Sequence, residues 1–366
     1  MGLLDHYRQF EGMSDEEISR ELRERADERR RRALAVVEPL DLSMTSWHEL
    51  PHPNVVAAVT YAARRGINRY ADPQATALRR TLASRHDVAA ERIVVGNGIA
   101  ELLGTAAAEL LEPRDELVTF WPSYPLFPLI ARRAGAQAVP VWGHDPEALL
   151  QAVSGRTRVI AIANPNDPTG GYLSKAVLRE LLARLPERVV VLLDEALSEY
   201  ADAEPPGASL GLLDEHPRLI ILRTFSKAFG LSGLRCGYAL GGHGSESLLE
   251  RLAPPLGVNA LSQAGALEAL ASSGAEVATR RAIVIAERGR LLKGLQELPA
   301  DAPPSQANFI WLRVPGVDGA ELAARLEARG VIVRGGDGFG DADHVRVAVQ
   351  SAEATDRLLR VLRTSL

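Results

Sequence analysis

The stretch LIILRTFSKAFGLSGLRCGY, residues 219–238, joins an apolar run to a glycine-rich segment around one lysine. The run LIILRTF, residues 219–225, has the length and β-branched content of a buried strand. Lys227 follows in apolar surroundings, where poor solvation lowers the pKa of an amine and leaves its neutral, nucleophilic form available. The stretch therefore predicts a buried strand that ends in a lysine suited to Schiff-base chemistry.

Potential anion-binding groups flank this lysine and recur earlier in the chain. Thr224 and Ser226 provide hydroxyl donors and Arg235 provides a guanidinium, as a phosphate dianion requires. The segment GNGIAE, residues 96–101, passes from a predicted strand into a predicted helix, and the free backbone N–H groups at such a helix start form an anion site. These groups predict a phosphate-binding region.

Further strand ends carry groups that suit a planar, positively charged ring. Asp194 ends the run VVVLLD, residues 189–194, and a carboxylate there is costly unless it faces a cation such as a protonated pyridine nitrogen. The turn NPNDPTG, residues 164–170, is placed where a ring substituent would lie. Tyr124 follows the run ELVTF, residues 116–120, and can stack on a ring. We therefore expect a ring held by an acid and an aromatic face.

The apolar runs alternate with amphipathic segments such as Ser174–Leu185. This pattern predicts crossover units in an α/β fold with a mainly parallel sheet covered by helices, whose ligands bind at the carboxyl ends of the strands. After Pro254 the pattern changes to a long helical stretch, to about residue 297, and then to a second α/β segment. We expect three parts: an N-terminal helical arm (residues 1–40), a large domain (41–255) and a smaller α/β C-terminal domain (256–366).

Composition excludes several other classes of protein. The 366 residues are 46% hydrophobic and 24% charged, and the formal net charge of -5 gives no general attraction to nucleic acid or anionic membranes. The single cysteine, Cys236, excludes an intrachain disulfide and a cysteine-cluster metal site. No apolar run reaches membrane-spanning length, and the N-terminus lacks a secretory pattern. We expect a cytoplasmic protein that binds neither nucleic acid nor membranes.

The residues quoted above resemble the class I/II aminotransferases of pyridoxal-phosphate fold type I, with most similarity to the histidinol-phosphate aminotransferase branch. The resemblance covers roughly residues 40–366 and is most specific in the run SKAFGLSGLRCGY, residues 226–238. It implies pyridoxal 5'-phosphate as cofactor. It also implies transfer of an amino group between an amino acid, or an amino alcohol phosphate such as histidinol phosphate, and a 2-oxo acid.

The resemblance implies roles for individual residues. Lys227 would form the Schiff base and shuttle a proton, Asp194 would pair with the pyridine nitrogen, and Tyr124 would stack on the ring. The phosphate cup would consist of the backbone of Gly98, Ile99 and Ala100 and the side chains of Thr224, Ser226 and Arg235.

It also implies contacts with the substrate and with a second subunit. Arg346, in HVRV (residues 344–347), resembles the arginine that grips the substrate carboxylate, and Arg334 resembles a second anion-binding arginine. In this family the tyrosine of a motif like NRY, residues 68–70, reaches the cofactor phosphate of the neighbouring subunit. Tyr70 therefore implies a homodimer with shared active sites.

Two positions depart from the family pattern on one edge of the cofactor ring. The residue before Pro168 is usually an asparagine that donates to the ring hydroxyl oxygen, and here it is Asp167. The position three after Asp194 is often a tyrosine that donates to the same oxygen, and here it is Leu197. We expect a cofactor-binding role for Asp167 in an altered hydroxyl environment, with an unusual pKa or tautomer of the Schiff base.

The pattern HELPH, residues 48–52, matches the zinc-protease motif H-E-x-x-H. Pro51 lies inside the would-be helical turn and Pro53 follows it, so the two histidines cannot share one helical face. We predict no metal site. The segment is instead expected to be irregular and to cross the mouth of the active site, where Trp47 and His48 contact substrate.

Two other functions stay open at this point. A decarboxylase or an eliminating lyase of the same fold would use the same cofactor and lysine. A non-enzymatic regulator would need a DNA-binding module, but the chain before the fold offers one acidic-basic helix, residues 14–34, and no helix-turn-helix. That helix is predicted from a capping box of Ser14 and Glu17 and from acid-to-base pairs at i,i+4, such as Glu21 with Arg25.

Overall fold

The structure is a computed structural model that describes residues 13–34 and 38–366. The chain divides into two compact units, one that ends at Leu40 and one that spans Asp41–Leu366. The expected boundary near residue 255 stays a prediction. The first residues of the chain, on which the expectation about a secretory pattern rests, lie outside the described residues. Within the described part, no helix combines the length and apolar composition needed to cross a membrane.

The first unit contains the helix Asp15–Leu34. The predicted capping box begins it: the Ser14 N–H donates to Glu17 Oε2 at 2.8 Å, and the Glu17 N–H donates to Ser14 Oγ at 3.4 Å. Arg25 Nη2 lies 3.0 Å from Glu21 Oε1, as the i,i+4 spacing predicts. The predicted helix is therefore confirmed.

A seven-stranded sheet forms the centre of the second unit. The described strands of the chain are β1 Leu40–Asp41, β2 Ile93–Gly96, β3 Glu116–Trp121, β4 Gln137–Trp142, β5 Thr157–Ala163, β6 Val190–Asp194, β7 Leu219–Thr224, β8 Gly237–Gly241, β9 Phe309–Arg313, β10 Val331–Ile332, β11 Arg334–Gly335 and β12 His344–Ala348. The large sheet has the order β2-β8-β7-β6-β5-β3-β4. β8 is antiparallel to both neighbours, and the other pairs are parallel. The predicted α/β class with a mainly parallel sheet is confirmed.

Helices cover both faces of this sheet, and its central strands are largely apolar, as such cover requires. In β5, Ile160 and Ile162 belong to one buried cluster, whereas Val159 and Ala161 belong to the cluster on the opposite face. The α-helices described in the second unit are Pro53–Gly66, Thr76–His86, Ile99–Leu110, Leu126–Arg133, Pro146–Gln151, Lys175–Arg184, Glu246–Arg251, Ala260–Ser272, Gly274–Leu295, Gly319–Glu327 and Ala352–Ser365. The long helical stretch expected after Pro254 is thus interrupted at Ser273.

The register of the sheet gathers the predicted phosphate-binding segments. Gly237 in β8 pairs with Gly96 at the end of β2 and with Thr224 at the end of β7. Because β8 is antiparallel to both strands, β2 and β7 end at the same edge. The segments that follow Gly96 and Thr224, and the one that precedes Gly237, therefore meet there.

A second sheet carries the C-terminal arginines. It has the order β11-β12-β9 and is antiparallel. Arg334 in β11 and Arg346 in β12 are direct cross-strand partners. Side chains at such positions lie on the same face of a sheet, about 5 Å apart at Cβ. Two guanidinium groups are therefore presented side by side.

Candidate active site

A cavity of about 640 Å³ opens where the strands of the large sheet end. It is lined by most of the residues that the sequence indicates: Ile99, Ala100, Tyr124, Asp167, Asp194, Thr224, Ser226, Lys227, Arg235, Arg334 and Arg346. The segment Ser43–Ser46 also lines it. The structure thus brings together both groups of predicted residues, those for a cofactor and those for a substrate.

Lys227 lies just beyond β7 and is enclosed by protein on most sides. Burial lowers the pKa of its amine, and Arg346 acts in the same direction, while the carboxylates of Asp167 and Asp194 partly oppose the shift. The Nζ atom donates a hydrogen bond to Thr45 Oγ1. A lysine amine with a lowered pKa is available as a nucleophile near neutral pH.

Asp194 is the last residue of β6 and is 5% exposed. Its Oδ1 accepts a hydrogen bond from the Ala196 N–H at 2.9 Å, and no ion pair to its carboxylate is found among the described residues. Burial raises the pKa of Asp194 to about 7, and the carboxylate of Asp167 adds to the rise. The cavity thus contains a buried acid that forms no ion pair within the described part of the chain.

The neighbouring acid, Glu195, is in a different situation. Arg223 donates to Glu195 Oε2 from Nη2 at 2.6 Å and from Nε at 2.9 Å, and Ser209 donates to its other oxygen. The pair is buried on both sides. The fold therefore provides a cation for one of two adjacent buried acids and leaves the other facing the cavity.

The anion-binding end forms around Gly98 and Arg235. Gly98 precedes the helix Ile99–Leu110 with φ of 81°, and no side chain caps this helix start. A Cβ at Gly98 would lie 2.6 Å from Arg235 Nη2, so the absence of a side chain lets the guanidinium reach the helix N-terminus. Helix N–H groups and a guanidinium are the donors that a phosphate requires.

Hydrogen bonds fix the loop that carries Asp167. Asn164 accepts from the Leu173 N–H at 2.7 Å and donates to the Leu173 carbonyl at 2.9 Å. Asn166 accepts from Ser123 Oγ at 2.7 Å and donates to Thr169 Oγ1 at 2.8 Å. Asparagine side chains often tie turns in this way. The loop is held on both sides of Asp167.

Arg346 is bound and oriented by several groups. Its Nη1 lies 2.7 and 2.9 Å from the two carboxylate oxygens of Asp167, and Nη2 donates to the Ser43 carbonyl at 3.2 Å. Its Cζ lies 4.8 Å from the ring centroid of Phe339 and 5.4 Å from that of Phe309. Arg346 therefore already has an internal carboxylate partner. Its cross-strand neighbour Arg334 forms no ion pair within the described residues.

Four predicted residues do not line the cavity. Gly98 immediately precedes Ile99, which does line the cavity. Tyr70 is 87% exposed and lines a separate cavity, which Arg235 also lines. Trp47 is buried: its Nε1 donates to Glu49 at 2.9 Å and the guanidinium of Arg280 lies over its ring. His48 contacts the Trp47 ring.

The segment that contains the zinc-like pattern is irregular, as expected. The helix begins at Pro53, and His52 caps it by accepting from the Asn54 N–H through Nδ1 at 3.2 Å. Among the described residues, no group of three His, Cys, Asp or Glu side chains is arranged to hold a metal ion. His52 thus caps the helix, because Pro53 after it occupies the first helical position.

Sequence reasoning missed three features of the site. Thr45 contacts Lys227, Asp167 pairs with Arg346, and two phenylalanines enclose the Arg346 guanidinium. For the pair of Asp167 with Arg346, the only signal in the sequence was the unusual acid before Pro168. Nothing in the local pattern distinguishes Thr45 from its neighbours.

Comparison with known proteins gives consistent matches. A family model for class I and II aminotransferases matches residues 37–363. The aromatic amino acid aminotransferase of Corynebacterium efficiens is 39% identical over 329 residues, which cover 88% of this chain and 92% of that protein. Histidinol-phosphate aminotransferase 1 of Nitrosococcus oceani is 38% identical over 320 residues, which cover 86% of each chain.

Solved structures agree with these matches. Histidinol-phosphate aminotransferase from Sinorhizobium meliloti, in complex with pyridoxal-5'-phosphate, superposes with a TM-score of 0.79 at 27% identity, and covers 90% of this chain and 92% of that one. Aspartate aminotransferase from Thermus thermophilus with maleate superposes with a TM-score of 0.78 at 26% identity. The match covers 93% of this chain and 95% of that one.

The fold, the cavity and these matches define an enzyme of fold type I that uses pyridoxal 5'-phosphate. The chain belongs to the class I and II aminotransferases. The residues present fit the cofactor: Asp194 is a buried acid without a cation, and Gly98 leaves room for Arg235 at a helix N-terminus.

The raised pKa of Asp194 predicts how the stability of the cofactor-free protein depends on pH. From pH about 4 to about 7 the folded protein keeps a proton on Asp194 that the unfolded chain releases, because the pKa is about 7 when folded against 3.8 otherwise. The free energy of unfolding should therefore fall as the pH rises through this window, by on the order of a few kcal/mol. Urea unfolding of the Asp194→Asn variant should not show this fall, whereas Asp301→Asn, at an exposed ion pair, should still show it. An unchanged slope in Asp194→Asn would contradict the assignment.

The contact between Gly98 and Arg235 predicts the effect of a single methyl group. In Gly98→Ala the new Cβ displaces the guanidinium and strains a residue with positive φ. We expect the Kd for pyridoxal 5'-phosphate to rise about tenfold or more, measured by fluorescence or absorbance titration. Gly104→Ala in the same helix, where a Cβ meets nothing within 4 Å, should leave the Kd unchanged. Equal affinities in the two variants would contradict the prediction.

Proposed function

We propose that this aminotransferase takes the amino group of an aromatic or other largely apolar amino acid and transfers it to a 2-oxo acid. The observation that carries the proposal is the lining of the cavity. It combines Lys227 and Asp194 with the carboxylate-binding candidate Arg346. Apolar side chains also line it, namely Met44, Leu126, Leu129, Leu197 and Phe339. Relatives named aromatic amino acid aminotransferases support the same substrate class.

The geometry of the strand ends supports a set of residues that would hold the cofactor. The phosphate would be bound by Arg235, the hydroxyls of Thr224 and Ser226 and the helix start at Gly98–Ala100. Asp194 would bind the ring nitrogen and Tyr124 would stack on the ring. When bound, pyridoxal 5'-phosphate supplies an aldehyde and an electron-withdrawing ring for the reaction.

Lys227 has two tasks in this proposal. Its Nζ would hold the cofactor through the aldehyde, and its amine, when free, would move the proton at the α-carbon of the substrate. Low solvation favours the neutral form of the amine, in line with its lowered pKa. Thr45 Oγ1 accepts a hydrogen bond from the free amine and so orients its lone pair.

A second substrate class is favoured by the arginine pair. Arg334 and Arg346 are cross-strand partners, and two adjacent guanidiniums suit a phosphate dianion as well as two carboxylates. An amino alcohol phosphate such as histidinol phosphate is therefore the alternative donor, and relatives named histidinol-phosphate aminotransferases support it.

We also propose a homodimer in which Tyr70 reaches the neighbouring cofactor phosphate. Ile67, Tyr70 and Leu256 are 75%, 87% and 68% exposed. They line a cavity of about 590 Å³ that shares Arg235 with the candidate active site. Clustered exposed apolar side chains are typical of an interface.

We further propose that the chain divides near residue 255 into a large domain and a small C-terminal domain. We also propose a cytoplasmic location.

A half-reaction screen tests the substrate. Holoenzyme is mixed with single amino donors, and the visible absorbance of the bound cofactor is followed while the 2-oxo product is measured. We expect phenylalanine, tyrosine or tryptophan to convert the cofactor to its amine form, with stoichiometric oxo acid. Lys227→Ala should bind the cofactor without this conversion at a measurable rate. Conversion by histidinol phosphate alone would favour the second class, and carbon dioxide release without oxo acid would refute transamination.

The dimer proposal predicts the effect of a charge on the exposed apolar surface. Leu256→Glu should shift the protein toward monomer in sedimentation and lower its affinity for the cofactor, because each phosphate site would lose the partner's Tyr70. Trp142→Glu, at another exposed aromatic residue that lines neither cavity, should leave both unchanged. A wild-type monomer that binds the cofactor tightly would contradict the proposal.

A further inference from the structure

The pairing of Asp167 with Arg346 bears on how the enzyme binds its substrate. Both side chains are largely buried, with 14% and 10% of each exposed. The Asp167 carboxylate places both oxygens on the same guanidinium nitrogen. A substrate carboxylate that approaches Arg346 therefore meets a guanidinium whose charge is already compensated.

The chain does not allow this pair to separate easily. The loop that carries Asp167 is tied by the side chains of Asn164 and Asn166, which precede it, and Arg346 packs against two aromatic rings and is bonded to Ser43. Of the donors on Arg346, Nε is buried and has no hydrogen-bond partner among the described residues. A substrate carboxylate in the cavity must therefore take Nη1 from Asp167 or Nη2 from the Ser43 carbonyl.

Two carboxylates that share one guanidinium repel each other in a poorly solvated site. The charged and titratable groups that line the cavity with Asp167 are Arg346, Arg334, Arg235, Lys227, Asp194 and Tyr124. Of these, only Arg346 forms an ion pair with Asp167 among the described residues. A substrate carboxylate at Arg346 therefore competes with Asp167 for the same positive charge.

We propose that Asp167 is a specificity-determining residue that competes with the substrate carboxylate for Arg346. The inference rests on the proposed role of Arg346. An asparagine at position 167 would have about the same size and no charge, and it would leave the charge of the guanidinium uncompensated. Asp167 thus weakens carboxylate binding at Arg346.

The test uses holoenzyme and 3-phenylpropanoate, a carboxylate with an aromatic ring and no amino group to react. Calorimetric titration gives the Kd of each protein. Asp167→Asn should bind at least about tenfold tighter than the wild type at neutral pH, because the guanidinium of Arg346 no longer has an internal counter-charge.

Controls separate the possible causes. Asp167 lies in the same cavity as Lys227, so the two proteins are compared at a pH where the bound cofactor gives both the same visible spectrum. Asp301→Asn removes the same charge at an exposed pair with Arg313 and should behave as wild type.

The remaining outcomes distinguish this inference from the proposed function. If Arg346→Gln abolishes binding while Asp167→Asn binds no tighter than wild type, the role of Asp167 is wrong and the carboxylate site at Arg346 stands. If Arg346→Gln binds as tightly as wild type, the carboxylate site itself is wrong, and the inference fails with it.

Discussion

The buried carboxylate of Asp194, which forms no ion pair within the described residues, is the constraint on which the rest of the site depends. Burying a charge is costly unless it is paired, and the adjacent acid, Glu195, shows that the fold can supply a partner in Arg223. Asp194 instead has one backbone hydrogen bond and a raised pKa. The ring nitrogen of pyridoxal 5'-phosphate can provide the missing charge, which is why we propose that Asp194 binds it.

Much of the fold could be predicted from local sequence. Strands β5, β6 and β7 contain continuous apolar runs, as expected where both faces of a sheet are covered, and the polar residues at the ends of β6 and β7 indicate the edge where ligands bind. Lys227 and Asp194 were predicted as site residues for this reason. The strand order was not predictable in the same way, since the pairing of Gly96 and Thr224 with Gly237 depends on contacts between distant segments.

Features that depend on long-range pairing could not be predicted. Asp167 and Arg346 are separated by 179 positions, and the two residues were expected to serve cofactor and substrate separately. Trp47 was expected to contact substrate, but its ring packs beneath Arg280 and its indole N–H bonds to Glu49, so Ser43–Ser46 line the cavity instead. A pattern of residue types shows which groups are unusual, and only the packing shows which of them meet.

The segment Ser43–Ser46 contacts both reactive regions of the cavity. The hydroxyl of Thr45 accepts from Lys227, and the carbonyl of Ser43 accepts from Arg346, while Asn308 donates to the Thr45 carbonyl at 2.9 Å. A shift of this short segment would alter both contacts together, because they share one stretch of backbone. A substitution that moves Thr45 would thus also move the Ser43 carbonyl, so the free energies of the contacts to Lys227 and Arg346 are coupled. This coupling needs only two peptide units and no domain movement.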